Sequence, residues 1–204
     1  MPRINCPRCQ RPEKQCYCKA LKEEKACMDV IILQHPRESR HPLNTARIVE
    51  MGISNCEVWI GEDFSNHQPL QRVMAEKSCY LLFPGINAKT SQEVLAKERP
   101  EVIIILDGTW RKAKKIYYSN PPLQQLPCIE LKHIPRSDYR IRKAPGEGAL
   151  STVEATVALL REASQTPAAH QALLNTFELM IEQQINSMGQ EVFLKNYPQT
   201  SDRY

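Results

Sequence analysis

Short apolar runs alternate with amphipathic stretches along most of the chain. MDVIILQ (28–34) is almost continuously apolar and rich in β-branched residues, which predicts a buried strand. CEVWIG (56–61), CYLLFPG (79–85), EVIIIL (101–106) and LPCIEL (126–131) read the same way, the first two of these stopped by Gly or Pro-Gly. Between the strands, PLNTARIVEMG (42–52) fits a short helix ended by Gly52. TSQEVLAKERP (90–100) opens on Thr90 and carries Glu93 three positions later, the spacing of a capping box. Another helix is expected directly after Asp107. LSTVEATVALLREAS (150–164) repeats the capping signal in Ser151 and Glu154, with Val153, Val157 and Leu160 at helical spacing. HQALLNTFELMIEQQINSM (170–188) predicts a longer amphipathic helix with Leu173, Leu174, Phe177, Ile181, Ile185 and Met188 on one face.

Continuously apolar strands that alternate with helices imply an α/β fold, a mostly parallel sheet with helices on both faces. In such sheets the ligand lies beyond the carboxyl ends of the strands. The exits are Gln34-His35-Pro36, Phe83-Pro84-Gly85, Asp107-Gly108-Thr109-Trp110 and His133-Ile134-Pro135-Arg136, and they should converge on one cleft. No G-x-x-x-x-G-K-[ST] is present, which excludes a P-loop. GEGALS, from Gly146, has two of the three glycines of a dinucleotide fingerprint and follows a basic loop, so that reading is rejected. The helix that opens at Ser151 would still offer backbone N–H groups to an anion such as a carboxylate.

A length of 204 residues suits one domain with a small appendage, and 42% hydrophobic residues exclude a disordered chain. No apolar run reaches membrane-spanning length, and MPRINCPRC lacks the core of a signal peptide; the expectation is a soluble cytoplasmic protein without a membrane partner. The net charge of +4 is modest, but basic residues cluster at 111–115 and 136–143. Such clusters favour polyanions or are ordinary solvated surface. Five of the eight cysteines fall in the first 27 residues. Cys6, Cys9, Cys16 and Cys18 form a C-x2-C-x6-C-x-C pattern that suits a structural tetrahedral zinc, a disulfide pair being the alternative. The expected organisation is a zinc-binding module at 1–27, a catalytic domain at 28–195 and a loose tail at 196–204. Cys56, Cys79 and Cys128 read as reduced core residues.

The most informative stretch is IIILDGTWRKAKK, where the apolar strand stops at Asp107. Its carboxylate should reach the mouth of the cleft, or else cap the next helix. Gly108 permits close approach of a ligand. Thr109 can cap the following helix, and Trp110 can stack on a flat ring or pack that helix on the sheet.

LDGTWRKAKK resembles the signature of the DTW-domain family. So do three further blocks and the cysteine module: LQHPRESRHPLNTAR (33–47), PRSDYRIRKAP (135–145), LSTVEA (150–155) and CPRCQRPEKQCYC (6–18). The resemblance implies a SPOUT-like fold with a C-terminal knot. It also implies a tRNA-uridine aminocarboxypropyltransferase. Such an enzyme moves the 3-amino-3-carboxypropyl group of S-adenosylmethionine to N3 of a uridine, at position 47 of the variable loop in bacterial members, and releases 5′-methylthioadenosine. On that basis Asp107 is the expected catalytic residue, as general base, as holder of the amino group or as attractor of the sulfonium. The expected cofactor pocket comprises Pro84, Gly85, Leu106, Gly108, Thr109, Trp110, Ser151, Thr152 and Glu154, the last also able to complete a capping box. Arg37, Arg40, His41, Arg111, Lys112, Arg140, Arg142 and Lys143 are the expected RNA contacts, with Tyr139 available for stacking. His35 and Glu38 belong to the same polar loop at a strand exit. The competing readings are a SPOUT-like RNA methyltransferase and a zinc-stabilised RNA-binding module without catalysis. Monomer and homodimer both stay open.

Overall fold

The computed structural model describes residues 4–85, 87–141 and 149–197. Among them six strands form one sheet: β1 Asp29–Gln34, β2 Cys56–Ile60, β3 Cys79–Leu82, β4 Lys89–Thr90, β5 Val102–Asp107 and β6 Cys128–Glu130. Their order is β2-β1-β5-β3-β6-β4, and every pairing is parallel. β5, the most apolar run, sits between β1 and β3, so both of its hydrogen-bonding edges are paired.

Alternate residues of the central strands feed two separate cores. Val30, Ile32, Ile103 and Ile105 point to one face. There they meet Ile48 and Val49 of α2 (Ala46–Gly52), Val94 of α4 (Ser91–Leu95), Val157 of α7 (Thr152–Ser164) and Phe177 of α8 (Gln171–Met188). Ile31, Leu33, Ile104 and Leu81 point to the other. They meet Leu70 of α3 (Gln68–Glu76), Ile116 of α5 (Trp110–Ser119) and Leu123 of α6 (Pro121–Gln124). The expected α/β sheet with helices on both faces is therefore present. The described residues also include two short α-helices, α1 (Pro36–Ser39) and α9 (Gln190–Asn196), and a 3-10 turn at Glu13–Gln15.

The differences from the sequence reading have local causes. The helix expected over 42–52 begins only at Ala46, because Asn44 Oδ1 accepts from Arg47 N at 3.1 Å and starts the turn there. That expected over 90–100 keeps its Thr90–Glu93 capping box but ends at Leu95. β5 runs one residue further than expected, so Asp107 is itself in the ladder, opposite Gln34. α3 was not anticipated: its cap is His67, whose Nδ1 accepts from Leu70 N at 3.2 Å, and histidine is not a usual start signal. β4, of two residues, is too short to show a period.

The cysteine module packs on the first core. Cys9 and Tyr17 are buried in the same cluster as Ile48 and Phe177, and Gln15 Nε2 donates to Ser187 Oγ of α8 at 2.5 Å. Within the expected tail, Asn196 closes α9 and Tyr197 packs at 5.7 Å from the Phe193 ring. Residues 198–204 lie outside the described residues.

Candidate active site

A cavity of about 810 Å³ opens beyond the carboxyl ends of β3, β5 and β6. The strand-exit argument holds for three of the four segments: Pro84, Asp107 to Trp110, and Ile134 line it directly. Gln34 and His35 stand behind the wall and hold Asp107 in place. Of the anticipated cofactor residues, Leu106, Ser151 and Thr152 also line the cavity, whereas Gly85 and Glu154 are not among the lining residues.

Asp107 is 7% exposed. Thr152 Oγ1 donates to its Oδ1, and Gln34 Nε2 donates to its Oδ2 at 2.9 Å. The same Gln34 nitrogen donates to Asn44 Oδ1 at 3.1 Å, and the Asp107 carbonyl accepts from His35 N at 3.0 Å. One carboxylate thus ties together the ends of β1 and β5, the start of α2 and the start of α7. Donors on both oxygens suit an oriented negative charge better than a mobile proton acceptor.

The residues after Asp107 follow from packing. A Cβ on Gly108 would lie 2.9 Å from Lys112 Cβ, so only glycine lets α5 begin this close to the strand. Thr109 precedes α5, but its hydroxyl makes no capping bond. Trp110 is 40% exposed and lies 6.2 Å from Phe83, which stacks on Tyr117 at 4.8 Å. An indole that is half open and lines a cavity offers a flat apolar face to a ring.

Glu154 has a different task. Its Oε2 accepts from Ser151 N at 2.7 Å, Ser151 Oγ at 2.6 Å and Ser137 Oγ at 3.0 Å; its Oε1 accepts from Asp138 N at 2.7 Å. The capping box is complete, and the same carboxylate pins residues 137–138 to the start of α7. The first turn of α7, at Ser151 and Thr152, borders the cavity. The first N–H groups of a helix have no intrahelical acceptor and carry the positive end of its dipole, so this turn favours a carboxylate.

The anticipated RNA residues are dispersed. His41 lines the cavity, with Nδ1 accepting from Leu43 N at 3.2 Å. Lys112 Nζ pairs with Glu38 Oε1 at 2.6 Å, and Arg140 pairs with Glu182 of α8. Arg111 is exposed. Arg37 and Arg40 lie in a separate groove. Arg142 and Lys143 fall outside the described residues. Tyr139 lines the cavity and meets Phe177 edge-on at 5.3 Å.

Sequence reasoning placed Gln34 at a strand exit but gave it no role, and it missed Asn44 and Glu62. His35 Nδ1 accepts from Arg37 N at 3.1 Å, and its Nε2 sits 2.6 Å from Glu62 Oε1. Glu62 also pairs with Lys115, whose hydrogen bond holds the Glu62 carboxyl below its usual range. Nothing local in the sequence marks Glu62 for this link.

Cys6, Cys9, Cys16 and Cys18 bring their four sulfurs within 4.8 Å of one another, a group that can hold a metal ion. Cys6 Sγ lies 3.7 Å from Cys18 Sγ, and Cys9 Sγ 3.8 Å from Cys16 Sγ. The N–H groups of Cys9 and Arg8 bring the Cys6 thiol down to about 6, while burial pushes Cys18 up to about 12. Beside them Arg11 is 2% exposed, over the Tyr17 ring at 5.9 Å. Its Nη2 donates to Gln15 Oε1 at 3.3 Å, but its Nε and Nη1 have no hydrogen-bond partner among the described residues.

Among the described residues no helix is long and apolar enough to cross a membrane. No solved structure matches the chain. The chain is 34% identical to tRNA-uridine aminocarboxypropyltransferase 2 of Drosophila melanogaster, over 96% of this chain and 84% of that one. It is 30% identical to the protein of that name from Macaca fascicularis, over 95% of this chain and 70% of the relative. Against tRNA-uridine aminocarboxypropyltransferase A of Arabidopsis thaliana the identity is 24%, over 76% and 70%. The family model described as DTW domain matches residues 3–185, which takes in the cysteine cluster, the Asp107 loop and the α7 cap; the chain belongs to the DTW-domain family.

Proposed function

We propose that this protein is a tRNA-uridine aminocarboxypropyltransferase that uses S-adenosylmethionine as donor. The observation that carries the reading is the 34% identity to an enzyme of that name over nearly the whole chain, with the Asp-Gly-Thr-Trp loop forming the wall of the principal cavity. In the reaction N3 of a uridine loses its proton and attacks the γ carbon of the aminocarboxypropyl group. The C–S bond breaks, its electron pair stays on sulfur, and 5′-methylthioadenosine leaves.

The cavity suits this donor. At the start of α7 the N–H groups that the capping box does not use, those of Thr152 and Val153, are the candidates for the methionine carboxylate. Asp107, an oriented anion at the β5 exit, attracts the sulfonium or the amino group. Trp110 and Phe83 provide aromatic faces for the adenine. Which carbon reacts depends on which one the pocket aligns with N3, since the sulfonium has three. A methyltransferase, the nearest rival, would present the methyl instead. The target uridine must leave its stack to enter, and Tyr139 is placed to receive it. Position 47 of the variable loop, a cytoplasmic location and the C-terminal knot belong to the same proposal.

The cysteine cluster is assigned to structural zinc. A tetrahedron with Zn–S near 2.3 Å has sulfur–sulfur edges of about 3.8 Å, and the Cys6–Cys18 and Cys9–Cys16 pairs measure 3.7 and 3.8 Å. Four thiolates around a dication leave net negative charge, which the buried guanidinium of Arg11 is placed to offset. Zinc there would brace a segment too short to build its own core.

The test is product analysis. Protein, S-adenosylmethionine and unmodified tRNA should yield 3-(3-amino-3-carboxypropyl)uridine and 5′-methylthioadenosine in equal amounts. S-adenosylhomocysteine as co-product would replace the reading with methyl transfer.

A further inference from the structure

A groove of about 850 Å³ lies next to the Asp107 cavity, and Asn44 lines both. Its walls carry Arg8, Arg37, Arg40 and Arg47 against one acid, Glu50. Arg47 is committed to structure: its Nη1 donates to Cys9 O at 3.3 Å and its Nη2 to Ser39 O at 2.6 Å. Those two bonds fasten the cysteine module to the end of α1. Arg8, from the module, and Arg37 and Arg40, from α1 and its cap, make no ion pair among the described residues. Three exposed guanidiniums lining one concavity raise its positive potential and draw an anion to it.

We propose that this groove docks the sugar-phosphate backbone of the tRNA, with Arg8, Arg37 and Arg40 on its phosphates, so that the cysteine module forms part of the RNA-binding surface. The inference rests on the transfer reading above and deepens it. The chemistry fits a backbone better than a nucleobase, because the groove has forked cationic donors and no aromatic ring among its lining residues. Its position fits as well. Asn44 lines both the groove and the Asp107 cavity, and Gln34 of the groove bonds Asp107, so a strand gripped here lies beside that cavity and a neighbouring nucleotide can turn into it. Arg8 is held ready by the module's own turn, in which Gln10 N donates to Cys6 O at 2.8 Å and Cys6 N to Arg11 O at 2.7 Å.

The experiment measures tRNA affinity as a function of salt for the wild type, for Arg8→Ala, and for the combined Arg8→Ala, Arg37→Ala, Arg40→Ala variant, alongside transfer kinetics. S-adenosylmethionine affinity and bound metal report on folding. Each arginine that neutralises a phosphate contributes about 0.7–0.9 to the slope of log affinity against log salt. The expected result is a slope about 1 shallower for Arg8→Ala and about 2–3 shallower for the combined variant, with KM for tRNA rising more than kcat falls. An unchanged slope and KM in a combined variant that still binds S-adenosylmethionine would overturn the groove and leave the transfer reading intact. An arginine-dependent slope in a wild type that transfers no aminocarboxypropyl group would uphold the groove and overturn the transfer reading. A wild type that binds no tRNA would overturn both.

Discussion

Replacing Glu154 by glutamine separates a structural carboxylate from a ligand-binding one. The native group accepts four hydrogen bonds in a buried position, two from backbone N–H groups and two from serine hydroxyls. A glutamine must present its NH2 to one side. Turned toward Asp138 it faces one backbone N–H; turned toward Ser151 it faces another, although the hydroxyls there can rotate to accept. Either way one backbone N–H loses its acceptor, at up to about 1–3 kcal/mol where it is the buried one of Ser151, and the remaining bonds lose their charge assistance. A total of about 3 kcal/mol follows, which for a chain of this size is a fall in Tm of about 6–12 °C. Scanning calorimetry reads that shift, and equilibrium dialysis reads S-adenosylmethionine affinity in the cold, where the variant is still folded. The expectation is a large Tm loss with a modest affinity loss, because the loop at 137–138 loosens beside the cavity. A Tm within about 1 °C of wild type together with a large affinity loss would refute the reasoning and place Glu154 on the ligand.

Gly108→Ala should cost about 1–3 kcal/mol and most of the activity, since the new methyl meets Lys112 Cβ at 2.9 Å and pushes α5 from the strand end; denaturation and transfer rate check it. Trp110→Ala should weaken S-adenosylmethionine binding by about 1–3 kcal/mol with little change in Tm, given the ring's exposure. With zinc in the cysteine cluster, as proposed, Arg11→Met should make it easier to remove with a chromogenic chelator, and Arg11→Lys should restore part of the hold. Burial holds His170 below its ordinary value of 6.5, against the opposing pull of Glu24. The unfolded chain therefore binds this proton more readily, so the contribution to stability is full above about 6.5 and is lost as pH falls below it. His170→Asn should show a shallower loss of Tm between pH 6.5 and 5 than wild type.

Much of the sheet was legible because its central strands are buried on both faces. Ile103, Ile104 and Ile105 of β5 read as one apolar run, since alternate residues enter different cores that are equally dry. The two capping boxes were legible because their chemistry is local. The placement of Asp107 followed from a rule about strand exits, but its partners did not. Gln34 and Thr152 meet it only because β1 pairs with β5 and α7 returns to the same edge, contacts across 73 and 45 residues. The two salt-bridged RNA candidates, Lys112 and Arg140, show the same limit. Their acids, Glu38 and Glu182, are distant in sequence, and no spacing reveals them. The groove that joins Arg8 to Arg37 and Arg40 exists because Arg47 bonds two carbonyls on different segments, and no motif records that either.

The central claim is tested most directly by supplying S-adenosylmethionine labelled either in its carboxyl carbon or in its methyl group to wild-type protein and unmodified tRNA. The labelled nucleoside is then identified after digestion. The account predicts carboxyl label on a uridine and none from the methyl. Methyl label alone, or no label from either donor on protein that binds both S-adenosylmethionine and tRNA, would contradict it.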